Sequence, residues 1–259
     1  MRYIDSHAHL GGWFDADRTF TPDQFVAQQE RAGIVRSVVS STAALYTELV
    51  MGNEWTLRQA EQRDHLLVWL VLNPLRQAET LELLDRFGHH PKVVGFKIHP
   101  VGHEYPATIK ASFKLLERLV PFGMPVLSHG QNESYAAPGL LRQLAESVPS
   151  LPLITAHFGA GQTGQTLEAI DAIQDCASGN LYTDMGTARA IRTGMIAQVV
   201  RGIGAGRVLF GTDSPLYESM AFPVLLQAAD ITQEERELIA YKNAERLILG
   251  PRGLALTEP

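Results

Sequence analysis

Short runs of apolar and β-branched residues alternate along this chain with longer amphipathic segments. Eight of the runs have strand character, and several are almost wholly apolar, as expected for parallel strands that are covered on both faces. The predicted strands are Arg2–Asp5, Val35–Ser40, Leu66–Leu72, Val93–Ile98, Pro125–Ser128, Pro152–Ala156, Leu181–Asp184 and Val208–Gly211. Strands that alternate with helices indicate βα units and therefore a parallel sheet.

The segments between these strands carry helix signals. In the first, Thr21 is a plausible N-cap, Pro22 fits the first helical position, and Gly33 is a natural stop. Near the C-terminus, Thr232 is followed three residues later by Glu235, which predicts a capping box at the start of a further helix.

A parallel sheet can be open and doubly wound or closed into a barrel. Eight strands in 259 residues favour the barrel, because about 250 residues is typical of one complete (β/α)8 unit. No G-x-G-x-x-G turn follows the first strand, so a dinucleotide-binding sheet is disfavoured. We therefore predict an α/β protein with a single (β/α)8 TIM-barrel domain over residues 1–259.

Composition and charge narrow the function. The formal net charge is −6, and lysines and arginines are scattered singly rather than gathered into a basic stripe, so a nucleic-acid partner is not expected. No run of about 18 apolar residues is present, so no membrane association is expected either. The single cysteine, Cys176, gives no sign of an oxidising compartment, and a cytoplasmic location is the default.

Histidines mark the predicted strand ends. Barrel enzymes work at the C-terminal ends of their strands. Five of nine histidines and one acid fall there: His7 and His9 after the first strand, His99 after the fourth, His129 after the fifth, His157 after the sixth and Asp213 after the eighth. Each residue alone could be a packed histidine or a turn-capping acid, but their coincidence at one rim predicts a site.

The sharpest local signal is His7-x-His9. In an extended segment, residues two apart point the same way, so both imidazoles can bind one cation. A closed barrel also brings its first and eighth strands side by side, which places Asp213 next to this pair. Imidazole and carboxylate ligands suit a catalytic zinc ion.

Seven segments, in order along nearly the whole chain, resemble the amidohydrolase superfamily and, more closely, its amidohydrolase-2 branch. They are IDSHAHL (4–10), GFKIHP (95–100), VLSHG (126–130), ITAHFGAG (154–161), NLYTDMGT (180–187), VLFGTDSP (208–215) and NAERLILG (243–250). The resemblance implies that the metal ligands are His7, His9, His129 and Asp213. It further implies that His157 faces the metal-bound water and that Asp213 accepts its proton.

The resemblance leaves Lys97 open between two roles. A carboxylated lysine at the end of strand 4 bridges two metals in some members of the superfamily, but the FKIHP context favours an ordinary ammonium that binds substrate. One divalent metal, zinc for preference, is thus expected, and a second is the weaker alternative. Substrate contacts are predicted for Lys97, His99 and Phe158. Met185 and Gly186 depart from the branch pattern, in which small hydroxyl residues are expected after Asp184.

Two groups of residues could complete the pocket. Arg189 and Arg192 follow strand 7 and could bind a carboxylate, although helix-surface arginines are commoner. Loop aromatic residues could form walls, and these are Trp13, Phe14, Tyr105, Tyr135, Phe158 and Tyr217.

The predicted function is hydrolysis of a small amide, ester or lactone by metal-activated water. The nearest alternative is a metal-dependent decarboxylase of the same branch, because its ligand set is nearly the same. A metal-independent lactonase, a nuclease of the related TatD type and a catalytically dead barrel that serves as a binding scaffold are weaker alternatives. A small-molecule substrate is expected, and the resemblance is compatible with a homodimer.

Overall fold

A computed structural model describes residues 1–12, 20–131, 135–159 and 165–254. Eight parallel strands form one sheet in the order β1 to β8, with helices between them. The strands are β1 (Tyr3–Leu10), β2 (Ile34–Ser41), β3 (Leu66–Val71), β4 (Val93–Ile98), β5 (Val126–Ser128), β6 (Leu153–Thr155), β7 (Leu181–Asp184) and β8 (Val208–Leu209). The predicted (β/α)8 TIM barrel is confirmed.

Ten α-helices are found in the described residues. They are α1 (Pro22–Arg31), α2 (Thr42–Tyr46), α3 (Leu49–Glu61), α4 (Gln77–Phe87), α5 (Lys110–Leu119), α6 (Pro138–Glu146), α7 (Gln165–Gln174), α8 (Met195–Ile203), α9 (Ala221–Ala228) and α10 (Gln233–Glu237). Short 3₁₀ segments cover Val120–Phe122, His157–Gly159, Ala188–Ile191, Ala205–Arg207 and Gly250–Arg252, and π-helical turns cover Leu238–Lys242 and Glu245–Leu249. None of the helices described is long and apolar enough to cross a bilayer.

Both predicted cap signals act as expected. Thr21 accepts a hydrogen bond from the backbone N–H of Gln24, whose side chain accepts from the N–H of Thr21, and Pro22 opens α1. The reciprocal pair of Thr232 and Glu235 opens α10. These bonds satisfy N–H groups that the first turn of a helix leaves without intrahelical partners.

The first strand is longer than the sequence predicts. Its apolar pattern stops at Asp5, yet β1 continues to Leu10 and pairs with β2 as far as Ser41, with a register irregularity between Asp5 and Ala8. The polar residues in this stretch are buried and hydrogen-bonded, so they remain in the sheet. His7 and His9 therefore lie within the strand.

The last strand joins the first and closes the barrel. The N–H of Ser6 bonds to the carbonyl of Phe210 at 2.9 Å, and the N–H of His9 bonds to the carbonyl of Ser214 at 2.7 Å. Ala8 and Ser214 form a parallel bridge. These bonds carry the residues after β8 alongside β1, which sets the position of Asp213.

The core leaves one end of the barrel free for chemistry. Leu247, Ile248 and Leu249 near the C-terminus pack in one buried cluster with Ile4 of β1 and Val94 of β4, both near the beginnings of their strands. Trp69 of β3 is fully buried in this cluster and donates its indole N–H to the carbonyl of Ser6 at 2.8 Å. The functional side chains lie at the opposite ends of the strands.

Candidate active site

A cavity of about 560 Å³ opens at the C-terminal ends of the strands. The sequence predicts eight residues as metal ligands, catalytic groups or substrate contacts, and seven of them line this cavity. They are His7, His9, Lys97, His99, His129, His157 and Asp213. All of them except His157 and His129 are at most 4% exposed. The cavity thus collects imidazoles, a carboxylate and an amine in a setting that is largely shielded from water.

Three of these residues form the one group of metal-type donors found in the described residues. One ligand atom from each of His7, His157 and Asp213 lies within 4.8 Å of the other two. The His7 Nε2 to Asp213 Oδ1 distance is 3.5 Å, and the His157 Nδ1 to Asp213 Oδ2 distance is 3.9 Å. Two imidazoles and a carboxylate at this spacing fit a divalent transition metal.

His9 lies between Asp213 of this group and Ser40 of β2. Its Nε2 lies 2.9 Å from Asp213 Oδ1, and its Nδ1 lies 2.9 Å from the hydroxyl of Ser40, the residue paired with it in β2. A serine hydroxyl can donate to Nδ1 or accept from it, so it supports either ring tautomer. His9 is therefore able to present Nε2 as a donor to a metal or as an N–H to Asp213.

His129 lies on the other side of His157. Its Nδ1 is 3.2 Å from His157 Nε2, its Nε2 is 2.8 Å from Gln131 Oε1, and its ring stacks on His99 with centroids 4.1 Å apart. Nδ1 of His157, the atom that approaches Asp213, donates to the carbonyl of Gly186 at 2.5 Å, so it must exchange this hydrogen bond before it can bind a cation. His129 lies outside the three-donor group. The ligand roles of His9 and His129 stay predictions.

Asp184, at the end of β7, is a site residue that the sequence reasoning missed. It is fully buried, and its Oδ2 lies 3.0 Å from Nδ1 of His7. Its Oδ1 accepts backbone N–H groups from Gly186 at 2.8 Å and His157 at 3.2 Å. An ionised carboxylate only accepts, so it keeps the proton of His7 on Nδ1 and leaves the lone pair of Nε2 facing Asp213.

Burial sets the charges in this cavity. It lowers the pKa of His7 well below the usual histidine range, with the charge of Lys97 acting in the same direction, and lowers the pKa of His9 and of His129 to about 3. Neutral imidazoles have the free lone pair that metal ligation requires. Burial also raises the pKa of Asp213 to about 7, while the neighbouring His157 and Lys97 act against that rise.

Lys97 and His99 line the cavity as the sequence predicts. Lys97 is fully buried, its Nζ lies 3.4 Å from His7 Nε2, and burial lowers its pKa to about 8. Nδ1 of His99 accepts the backbone N–H of Gly102 at 2.7 Å. Substrate contact by either residue, and carboxylation of Lys97, stay predictions.

The prediction for Phe158 is not matched by its position. Phe158 is 1% exposed and packs in a core cluster that includes Ile170 and Met185, and it is not among the residues that line the described part of the cavity. Its left-handed φ of 54° belongs to a turn that the sequence does not reveal. The side chain is therefore part of the core, and substrate contact by Phe158 is not supported by its position.

Of the other aromatic residues predicted to form walls of the pocket, some line the cavity and others do not. Tyr217 lines the cavity, as does Tyr46, which the sequence reasoning did not single out. Tyr105 is buried at 1% exposure, and neither it nor Tyr135 lines the described part of the cavity. The predictions for Trp13 and Phe14 fall outside the described residues. Arg189 and Arg192 both line the cavity, but Arg189 is buried at 6% exposure whereas Arg192 is exposed.

Solved structures of similar fold extend over almost the whole chain. They include 2,6-dihydroxybenzoate decarboxylase from Rhizobium (15% identity, TM-score 0.76, 95% of this chain and 98% of that one). A dihydroxybenzoic acid decarboxylase from Polaromonas with bound manganese also matches (15%, 0.75, 95% and 96%). A third match is a putative amidohydrolase from Staphylococcus aureus (15%, 0.75, 96% and 99%). At such identities the likeness supports the fold alone.

Family assignment rests on the sequence profile. No curated protein sequence matches the chain. The family model Amidohydro_2, described as amidohydrolase, matches residues 4–248, a span that contains every histidine and acid of the cavity discussed above. The resemblance drawn from the seven sequence segments is thereby confirmed, and the chain belongs to the amidohydrolase-2 family.

Proposed function

We propose that this chain is a divalent-metal-dependent decarboxylase of small carboxylic acids. The observation that carries the proposal is the group of buried His7, half-buried His157 and buried Asp213, whose donor atoms lie within 4.8 Å of one another at the cavity. Family membership adds to it, and so do the similar folds named for decarboxylation of dihydroxybenzoates, one with bound manganese. This reverses the order of the two functions that the sequence left open.

The proposed ligands are His7, His157 and Asp213, with His9 beside Asp213. When bound, the cation would supply a Lewis acid that polarises a substrate oxygen and stabilises negative charge developing there. Asp184 would keep the Nε2 lone pair of His7 directed toward Asp213, through its 3.0 Å contact with Nδ1. Shielding from water would strengthen each of these electrostatic interactions.

Decarboxylation replaces a carbon–carbon bond with a carbon–hydrogen bond, so a proton must reach the carbon that loses CO₂. His129 Nδ1 and His157 Nε2 lie 3.2 Å apart, a contact that needs one proton between two ring nitrogens. We assign the delivered proton to His129 in its protonated form, which returns to a neutral imidazole and takes up its next proton from solvent, so that His157 can keep the lone pair of a ligand. The balance is then one carboxylate and one proton consumed, and one CO₂ and one C–H bond formed.

Hydrolysis of a small amide, ester or lactone is the second candidate. It is favoured by the name of the matching family and by the putative amidohydrolase among the similar structures. In that reaction His157 and Asp213 would orient a water molecule and remove its proton, as general bases. The two reactions differ in product, so one panel distinguishes them.

The test is elemental analysis of the purified chain followed by a paired assay. Hydroxybenzoic acids are scored for CO₂ release, and lactones, amides and esters for hydrolysis, before and after chelation and after reloading with Mn²⁺ or Zn²⁺. CO₂ release that chelation abolishes and one of the metals restores is the expected result. Activity that survives complete metal removal would reject the metal-dependent proposal, and hydrolysis without CO₂ release would select the second candidate.

Asp213→Asn provides the matched variant. We expect it to lower kcat/KM by at least about 100-fold, as loss of a buried charge at a reacting centre does, without unfolding the chain. Asp230→Asn is the control, because Asp230 is an exposed partner of Arg201 at 2.6 Å. Full activity of Asp213→Asn would remove Asp213 from the mechanism.

A further inference from the structure

The 3₁₀ turn after β7 places a buried arginine on the wall of the cavity, and no carboxylate among the described residues pairs with it. Arg189 is 6% exposed and lies in the turn Ala188–Ile191, five residues beyond Asp184. Thr187 begins this turn, and its hydroxyl accepts the N–H of Arg189 at 3.3 Å. The side chain therefore belongs to the same cavity as the proposed metal centre.

Arg189 has only one polar side-chain partner among the described residues. Nη1 donates to the hydroxyl of Thr166 at 2.8 Å, while Nε and Nη2 are shielded from water and have no acceptor. Two less buried arginines each have a carboxylate partner: Arg63, which is 17% exposed, pairs with Asp23, and Arg201, which is 65% exposed, pairs with Asp230. A buried guanidinium without a carboxylate partner is costly, so its retention calls for an explanation.

The two orphaned donors share one edge of the guanidinium. The Nε–H and the adjacent Nη2–H point the same way, and this fork matches the two oxygens of a carboxylate. Burial, together with the positive charge of the nearby Arg192, lowers the pKa of Arg189. An anion bound at this edge would accept hydrogen bonds from Nε and Nη2 and would offset the repulsion between Arg189 and Arg192.

We propose that Arg189 binds a carboxylate of the substrate that is not the one lost, so that the substrate is a small dicarboxylic acid. This inference rests on the proposed decarboxylation. A carboxylate that becomes neutral CO₂ loses its attraction to a cation, so a strong arginine contact to it would favour the ground state over the transition state. A retained carboxylate is bound equally in both states and serves as an anchor. Because Nε and Nη2 are shielded from water, this binding requires the guanidinium to turn toward the cavity that Arg189 lines.

Binding of paired probes tests the anchor. Isophthalate and benzoate differ by one carboxylate, and their Kd values are measured by calorimetry on the Mn²⁺-loaded chain and on the metal-free chain. Wild-type protein is expected to bind isophthalate roughly 10- to 100-fold more tightly than benzoate, the range given by one charge-assisted bidentate contact. Arg189→Met and Arg189→Lys are expected to bring that ratio close to one, because neither offers the fork.

Two comparisons separate this role from a structural one. Arg201→Lys, at an exposed position, should leave the ratio unchanged. If Arg189 only holds Thr166 and α7 in place, its variants will lower Tm and leave the ratio as in wild type, which overturns the proposal. Should Arg189→Met fail to fold, Arg189→Lys keeps the charge and still removes the fork.

The outcome is distinguishable from failure of the proposed function. Loss of diacid preference in the variants of a chain that releases no CO₂ would keep the anion subsite and reject the decarboxylase. CO₂ release by a wild-type chain that binds benzoate as tightly as isophthalate would keep the decarboxylase and reject the subsite. With a diacid substrate, Arg189→Lys should raise KM at nearly constant kcat, the signature of lost uniform binding.

Discussion

Replacing Asp184 by Asn tests whether this carboxylate prepares His7 to bind a metal. Oδ1 of Asp184 accepts two backbone N–H groups, and an asparagine oxygen in that position can keep both. Oδ2, at 3.0 Å from Nδ1 of His7, would become an NH₂ group. Two N–H groups would then face each other unless the proton of His7 moves to Nε2, the atom proposed to bind the metal.

The magnitude follows from this contact. Either the charge-assisted hydrogen bond between Asp184 and Nδ1 of His7 is lost, at a cost of about 1.5–3 kcal/mol, or a similar energy is needed to return the His7 proton from Nε2 to Nδ1 when a metal binds. At about 1.4 kcal/mol per factor of ten, metal affinity should fall roughly 10- to 100-fold, the range typical of groups that orient a ligating histidine. Folding should change little, because the backbone contacts of Oδ1 remain.

The assay is a titration of the metal-free chain with Mn²⁺, followed by EPR or calorimetry, with Tm measured in parallel. Asp5→Asn is the matched control: Asp5 is equally buried but bonds to the backbone N–H of His7 at 3.1 Å and to Thr212, and it has no described bond to the imidazole. Wild-type affinity in a folded Asp184→Asn chain, or equal weakening in the control, would refute the reasoning.

Three further predictions concern stability. Gly95→Ala should cost about 3 kcal/mol or more and lower Tm by roughly 6–12 °C, since the new Cβ would lie 2.1 Å from the ring of Trp69, as thermal unfolding can measure. Thr232→Ala removes the cap of α10 and should cost about 1 kcal/mol by the same measurement, with an unchanged Tm counting against it. Burial, aided by the charge of Arg36, lowers the pKa of His65 to about 4, so between about pH 6.5 and 4 the unfolded chain binds a proton that the folded chain does not. The free energy of unfolding should therefore fall as pH drops through this range, and it should fall less steeply in His65→Gln. Equal pH dependence of the two chains in urea titrations would contradict this.

The fold could be predicted from the sequence because strands that are buried on both faces are continuous apolar runs. The strands β4 and β7 begin and end where their apolar runs predict, at Val93–Ile98 and Leu181–Asp184. The prediction failed at β1, in whose second half the polar residues Ser6, His7 and His9 lie within the barrel wall beside the apolar Ala8 and Leu10. Hydrophobicity cannot report a strand whose side chains are buried for chemistry and not for packing.

The site was readable only in part. His7 and His9 stand out by their spacing, but Asp184 is a single acid at the end of a strand, a position equally typical of a turn. The available signal was its place at the same rim as the histidines. Arg189 was set aside for a similar reason: its burial depends on the turn that Thr187 begins, and an arginine near a helix is usually exposed.

Backbone strain explains why the remaining geometry could not be predicted, and also what holds it. His157, Phe158 and Asp213 all adopt left-handed φ values, of 65°, 54° and 56°, which cost about 1–3 kcal/mol each. The N–H of Asp213 is fixed to the carbonyl of His7 at 2.7 Å, and the N–H of His157 to Asp184 at 3.2 Å. Barrel closure and one buried carboxylate thus hold the three proposed metal donors in a single network. Such conformations are imposed by these long-range contacts and not by local propensity, so the order of the donors around the cavity is a property of the closed barrel and not of any segment of the chain.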